Sequence, residues 1–250
     1  MTERWRSVLV LVLSALLFVA VLVVGPGSEV AELRRLLGIG KDPLGHPADV
    51  APGGVHAFLE HQPGRPDEPV TWDPCREIRY EINPDLAPEG TAETVDFVQD
   101  AIAEVSAATG LQFAYEGTTD RRPDPGGRGF LTARPDPVLI AWATDDEVDE
   151  LSGDVAGVGG ATARSYDGDP RMWFVTGGVT LDAAAFERIA GERDGRAQQR
   201  AILLHELGHL VGLDHVDSPE ELMYADNVGQ PGFAQGDRTG LARLGEGRCR

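Results

Sequence analysis

The chain has 250 residues, of which 42% are hydrophobic, 25% are charged and 6% are aromatic, a composition typical of one or two globular domains. Its 41 acidic residues outnumber 22 basic ones and give a net charge of −19, which argues against nucleic acid or an anionic membrane surface as a partner. We therefore expect a folded protein that binds no nucleic acid.

The N-terminus carries an apolar segment. Residues 8–24 are apolar apart from Ser14 and follow Arg4 and Arg6. The segment is short for a bilayer span and long for a signal-peptide core, so residues 1–24 are interpreted as either a signal-anchor or a signal peptide. Because no Ala-x-Ala site follows, we favour a membrane-anchored N-terminal apolar helix with the arginines in the cytoplasm. Both interpretations predict an extracytoplasmic protein, which is secreted if the segment is cleaved.

The next segment, residues 25–69, is rich in proline and glycine. It holds seven prolines and few large apolar residues, which predicts an extended tether. A pro-segment is the alternative interpretation. The segment contains three histidines without ligand-like spacing, which we interpret as solvated: His46, His56 and His61.

A folded domain is predicted for residues 70–250. Residues 78–82 alternate between apolar and polar side chains, as a half-buried strand does, and residues 91–108 repeat apolar positions every three or four residues, as a helix does. A second strand is predicted at residues 111–115. The continuous apolar run at residues 138–143 is typical of a central strand. Strands and helices in this order predict an α+β domain.

A second helix leads into a group of histidines. Residues 196–204 contain no Gly or Pro and predict a helix that enters His205. His209 lies four residues on, on the same helix face and close enough to share one ion. Gly212 can adopt a left-handed conformation and end the helix, so that His215 returns as a third ligand. Three protein nitrogens leave a fourth position for water, which is typical of a catalytic zinc site.

This run resembles a known family. From His205 to His215 the sequence reads His-Glu-x-x-His-x-x-Gly-x-x-His, which resembles the metzincin zinc endopeptidases. Met223 is similar to the methionine of their Met-turn, and its distance from His215 is similar to that in the matrixin branch (peptidase M10-like). Residues 235–245 are similar to the C-terminal helix of a matrixin domain. Glu206 lies next to the first ligand, where it would take a proton from water.

The resemblance implies a fold and an activity. The fold is a zincin or metzincin-like catalytic domain, with a twisted mixed sheet, an edge strand along the cleft, an active-site helix, a Met-turn and a C-terminal helix. The activity is hydrolysis of peptide bonds in a peptide or protein substrate, with one catalytic Zn²⁺ and Glu206 as the general base. The edge strand would bind an extended substrate, and residues 158–163 are its candidate, with a loop or bulge as the alternative. The residues expected to contact substrate are Gly159, Gly160 and Ala161.

Calcium and a second zinc also bind many matrixins. The only histidines after residue 61 are the three predicted ligands, so a second zinc site built from histidine is excluded. Four acidic loop residues are candidates for a calcium site, and the alternative interpretation is that their side chains are solvated. These residues are Asp145, Asp146, Asp167 and Asp169.

The sequence contains two cysteines, Cys75 and Cys249. In an exported protein they are predicted to form a disulfide between the ends of the domain. The alternative is that Cys75 binds zinc as a latency switch. Matrixin pro-segments carry such a cysteine in a Pro-Arg-Cys-Gly-like motif, and no such motif precedes residue 70.

A non-catalytic protein is the alternative function. It would be a zinc-stabilised surface module that binds peptides or cell-wall components without cutting them. Glu206 argues against this alternative, because zinc binding alone has no need of a carboxylate at that position. We expect a monomer in either case.

Overall fold

The computed structural model describes most of the chain after residue 40. The N-terminal apolar segment predicted at residues 8–24 lies largely outside the described residues. No helix within the described part combines the length and the apolar character needed to cross a membrane. Leu44–Arg248 form one compact unit, separate from Met1–Pro43 and the last two residues. The described residues are 12–14, 20, 30, 41–124, 135–166, 168–226 and 229–250.

The compact unit contains a mixed sheet and several helices. The strands are β1 (Ala57–Phe58), β2 (His61–Gln62), β3 (Arg65–Pro69), β4 (Thr71–Trp72), β5 (Ile78–Asn83), β6 (Phe113–Thr118), β7 (Val138–Ala143), β8 (Gly157–Tyr166), β9 (Asp169–Asp182) and β10 (Leu213–Asp214). The helices are α1 (Thr91–Thr109), α2 (Ala183–Ala190), α3 (Gly195–Val211) and α4 (Gln235–Gly245), with a short 3₁₀ helix at Asp149–Leu151.

Parallel pairs dominate the main sheet. Its strand order is β4-β9-β7-β5-β6, and β8 pairs with β9. The pairs along this order are parallel, whereas β8 runs antiparallel to β9. The predicted mixed sheet is therefore confirmed. The parallel pairing of β5 with β6 follows from the connection through α1, because parallel neighbours need a crossover.

The strands and helices agree with the apolar patterns of the sequence. Every residue of β7 is buried, as expected for a central strand. Helix α1 buries Phe97, Val98, Ile102 and Val105, and it ends at Gly110, which has a φ of 74°. A left-handed residue at this position is the usual stop of a helix and favours glycine. The second predicted strand begins two residues later than expected, at Phe113.

Helix α3 lies in the core, in contact with the sheet and with α1. Leu203, Leu204 and Leu207 are fully buried in the main hydrophobic cluster. The indole Nε1 of Trp72 in β4 donates to the carbonyl oxygen of Leu210 at 2.9 Å. This bond connects β4 to the last turn of α3, next to His209.

The predicted tether differs from the structure in its second half. The compact unit begins at Leu44, and we call residues 44–59 the N-terminal strap. Within the strap, β1 pairs with β10, and the Leu59 amide donates to the carbonyl oxygen of Gly212 at 3.0 Å. His56 packs edge-on against the buried ring of Phe58 and is half-buried, not solvated. The strap folds because segments distant in sequence form hydrogen bonds with its backbone. A proline-rich composition does not reveal such partners.

Candidate metal centre and cleft

Helix α3 and the turn after it bring three histidines together. His205 and His209 lie one turn apart on α3, and the helix ends at Gly212, which has a φ of 121°. The chain then passes through β10 and places His215 opposite the other two rings. The three Nε2 atoms form a triangle with every side 3.1 Å long.

This triangle fits a metal ion. A tetrahedral zinc with bonds of 2.0–2.1 Å separates two ligand nitrogens by roughly 3.3 Å, close to the observed spacing. The Nδ1 atoms of His205 and His209 each lie 2.8 Å from a carbonyl oxygen, of Leu222 and Leu213 respectively. A carbonyl oxygen only accepts, so each Nδ1 carries the hydrogen and each Nε2 offers a lone pair. The donor set is therefore suited to zinc.

Burial keeps two of these rings neutral. Desolvation, followed by the charge of His209, lowers the pKa of His205 to about 4. Desolvation also lowers the pKa of His209. Neutral imidazole is the form that binds a metal, so both side chains are competent ligands at neutral pH.

Glu206 follows the first of these histidines in α3 and lines the same cleft as all three. Its side chain is buried, and desolvation raises its pKa to about 8, although a backbone hydrogen bond from Gly159 opposes the shift. A nearby dication lowers such a pKa again, because an opposite charge favours the carboxylate. A carboxyl group with these opposing influences is suited to accept and return a proton near neutral pH.

The predicted edge strand lines this cleft, which has a volume of about 680 Å³. Within the described residues β8 pairs with no strand except β9, so its other edge, here called the free edge, has no strand partner. Gly157, Val158 and Gly159 line the cleft, and a Cβ at Gly159 would overlap the carbonyl oxygen of Glu206. The structure thus places Gly159 at the cleft. Gly160 and Ala161 line a second cavity instead, of about 740 Å³.

We expect Gly159→Ala to destabilise the protein by about 3 kcal/mol, because the added methyl group forces β8 away from α3. Gly160→Ala is the matched control, since a Cβ there meets nothing within 4 Å. Thermal unfolding of both variants measures the difference, and the Gly160→Ala protein should change by less than about 0.5 kcal/mol. Equal melting temperatures for the two variants would show that β8 does not depend on this close contact.

The side chain of Met223 packs against helix α3 at Gly208. This side chain is 1% exposed, and a Cβ at Gly208 would lie 2.7 Å from its Sδ atom. The amides of Leu222 and Met223 donate to the carboxylate of Asp237 in α4, at 2.7 and 3.2 Å. Asp237 therefore fixes the turn that also supplies the carbonyl partner of His205.

Asp237 and Glu221 are two buried carboxylates that the sequence did not identify. Desolvation raises the pKa of Asp237, while three backbone hydrogen bonds oppose the shift. Glu221 accepts from the amides of Gly236 and Asp237, at 2.8 and 3.1 Å, and from Val55 of the strap at 3.3 Å. An aspartate in the first turn of a predicted helix is a capping signal, and this signal could have identified Asp237.

The remaining predicted residues lie elsewhere. Cys75 and Cys249 are disulfide-bonded, which confirms the predicted disulfide and leaves no thiol for a latency switch. Asp145, Asp146 and Asp169 do not join any cluster of metal-ligand atoms among the described residues. Asp167 lies outside the described residues. The acidic loop residues thus give no support for calcium in the part of the chain that is described.

Comparisons with known proteins concern the same region. A family model described as Matrixin matches residues 71–244. A search of curated proteins finds no match. Among solved structures, archaemetzincin from Methanopyrus kandleri is 14% identical with a TM-score of 0.42, over 67% of this chain and 95% of that chain. The GM1-bound form of the ECX AB5 holotoxin is 13% identical with a TM-score of 0.45, over 81% and 93%. At these scores the two structures carry no further conclusion.

Proposed function

Because the chain belongs to the matrixin family, we propose that it is a zinc-dependent endopeptidase that hydrolyses peptide bonds with Glu206 as the general base. The observation that carries this proposal is the convergence of three Nε2 atoms, 3.1 Å apart, beside a buried carboxyl group. A site that only bound zinc would not need this carboxyl group, whose burial carries a cost in desolvation.

His205, His209 and His215 would hold the zinc. When bound, zinc supplies Lewis acidity, which makes water a stronger acid and polarises a carbonyl group. The carbonyl oxygens of Leu222 and Leu213 orient two of the rings through their Nδ1 atoms. Such partners fix the tautomer of a ligand and increase its basicity, which favours metal binding.

Groups of the chain itself bind the substrate and transfer the proton. The free edge of β8 offers backbone groups to an extended peptide, which would bind by strand addition in the cleft. Glu206 takes the proton of the attacking water and returns it to the leaving amine. Burial of Glu206 shields that proton from solvent.

We also propose that the protein acts outside the cytoplasm. Disulfides persist in oxidising compartments, and both cysteines of this chain are disulfide-bonded. The apolar residues 8–24 behind two arginines support export and a membrane anchor. Protease accessibility of the domain on intact cells, with and without permeabilisation, tests this location. Protection in intact cells would contradict it.

Removal of the metal tests the proposed chemistry. We expect the purified protein to cleave casein, to lose this activity in 1,10-phenanthroline, and to recover it when Zn²⁺ is added back, because three imidazole ligands select such a metal. Calcium serves as the control and should not restore activity. Cleavage that persists unchanged in the chelator would refute the zinc mechanism. A zinc-binding protein that leaves casein intact would favour the non-catalytic alternative.

A further inference from the structure

We propose that the cleft selects peptides with lysine or arginine side chains near the bond to be cleaved, an inference that rests on the proposed peptidase function. The metal centre and the free edge of β8 define the cleft as a peptide site, and its charged lining decides which peptides fit. Every charged side chain in the lining, histidines apart, is acidic, and no lysine or arginine of the described residues lines it. These acidic residues are Glu150, Asp154, Glu206, Asp214, Glu221 and Asp226.

Three of these carboxylates are available to a ligand. Both oxygens of Glu221 accept backbone hydrogen bonds, and Asp214 accepts the amide of His215 at 2.8 Å. In contrast, Glu150, Asp154 and Asp226 are exposed, and none forms an ion pair with a described arginine or lysine. The available negative charge is therefore uncompensated within the described protein.

The three carboxylates lie on two separate parts of the lining. Glu150 and Asp154 precede β8, where the 3₁₀ helix and the following loop form one wall. Asp226 belongs to the segment that follows Met223 and forms another wall. A peptide that pairs with β8 would therefore meet negative charge from both walls.

The same lining also suits the shape of long basic side chains. Leu59, Val155 and Ile202 contribute apolar surface to the cleft beside the carboxylates. Lysine and arginine cover apolar surface with their methylene groups while the charged end reaches a polar partner. Because exposed ion pairs are individually weak, we expect a preference of about tenfold for basic peptides and not an exclusive specificity.

Binding to the zinc-loaded, full-length Glu206→Gln protein tests this selectivity apart from cleavage. Three fluorescent peptides of equal length would carry arginine, glutamine or glutamate at the same two positions, and anisotropy would give their dissociation constants. We expect the arginine peptide to bind about tenfold more tightly than the glutamine peptide, and the glutamate peptide to bind least. Equal affinities, or no binding of any peptide, would overturn the proposal.

Two triple variants locate the effect. Glu150→Gln, Asp154→Asn and Asp226→Asn together should reduce the preference to less than about twofold, because the uncompensated charge is removed. The matched control changes three exposed acidic residues of α1: Glu93→Gln, Asp96→Asn and Asp100→Asn. An equal loss in the control would show that overall charge, and not the cleft, causes the preference, and would overturn the proposal.

Cleavage of the arginine peptide by the wild-type protein separates this inference from the proposed function. If the arginine peptide binds preferentially but is never cleaved, the peptidase function fails while the charge selectivity stands. If all three peptides are cleaved with equal efficiency, the peptidase function stands and the selectivity fails.

Discussion

Replacing Glu206 with glutamine should lower kcat for peptide hydrolysis by about 10²–10⁴-fold, the usual contribution of a general base. Glutamine has nearly the same shape as glutamate but cannot take a proton from water. The steady-state rate on a fluorogenic peptide measures the loss, and bound zinc and circular dichroism report on the metal and the fold. Zinc content should stay at the wild-type level, since the three ligands are unchanged.

The stability of this variant distinguishes catalysis from structure. Glutamine keeps a side-chain oxygen that can accept the backbone hydrogen bond from Gly159, so the neutral amide should be tolerated and the melting temperature should not fall. Glu93→Gln, on an exposed face of α1, is the control and should keep the wild-type rate. A Glu206→Gln protein that cleaves as fast as the wild type would show that another group accepts the proton.

Removal of the N-terminal strap should destabilise the domain by about 5 kcal/mol. Burial of Phe58 contributes about 2–3 kcal/mol, and the backbone hydrogen bonds of β1, Val55 and Leu59 contribute about 1 kcal/mol each. This sum lies at the lower end of the total stability of most domains, about 5–15 kcal/mol. A chain that begins at residue 60 should therefore unfold at a much lower guanidinium concentration than one that begins at residue 44.

The same comparison tests the link between the strap and the metal centre. Without β1, β10 loses its pairing partner next to His215, so the shorter chain should also bind zinc more weakly. Phe58→Ala in the full chain is the milder variant, with an expected loss of about 2–3 kcal/mol. If the chains from residues 44 and 60 unfold at the same guanidinium concentration, the strap is the tether that its composition indicated.

The sequence predicted the parts of the fold that depend on local patterns. Helix α1 repeats Val98, Ile102 and Val105 at helical spacing, and β7 is a continuous apolar run, so neighbours in sequence determined both elements. The positions of the three histidines also depend on local sequence, because one helix and the glycine that ends it position all three. The structure brings these rings together where the spacing predicted.

Elements that depend on distant partners were missed. The strap is held by residues that follow it by more than a hundred positions, as Gly53 is by the hydroxyl oxygen of Thr239. Glu221 resembles any surface acid in the sequence, and Asp237 carries only a helix-capping signal. Only the fold reveals the backbone amides from which both carboxylates accept. The short helix α2 was also missed, although Asp182 caps it by accepting from the amide of Ala185 at 2.6 Å.

The support of the Met-turn by Asp237 has a consequence for the order of assembly during synthesis. A growing chain contains His205, His209 and His215 before it contains the carboxylate that fixes Leu222 and Met223. The strap is synthesised before the rest of the domain, and its partners in α4 are synthesised last. Contacts between segments so distant in sequence form slowly. The metal centre is therefore completed only when the C-terminal helix has been added, and a nascent chain lacks a finished peptidase site until its domain is whole.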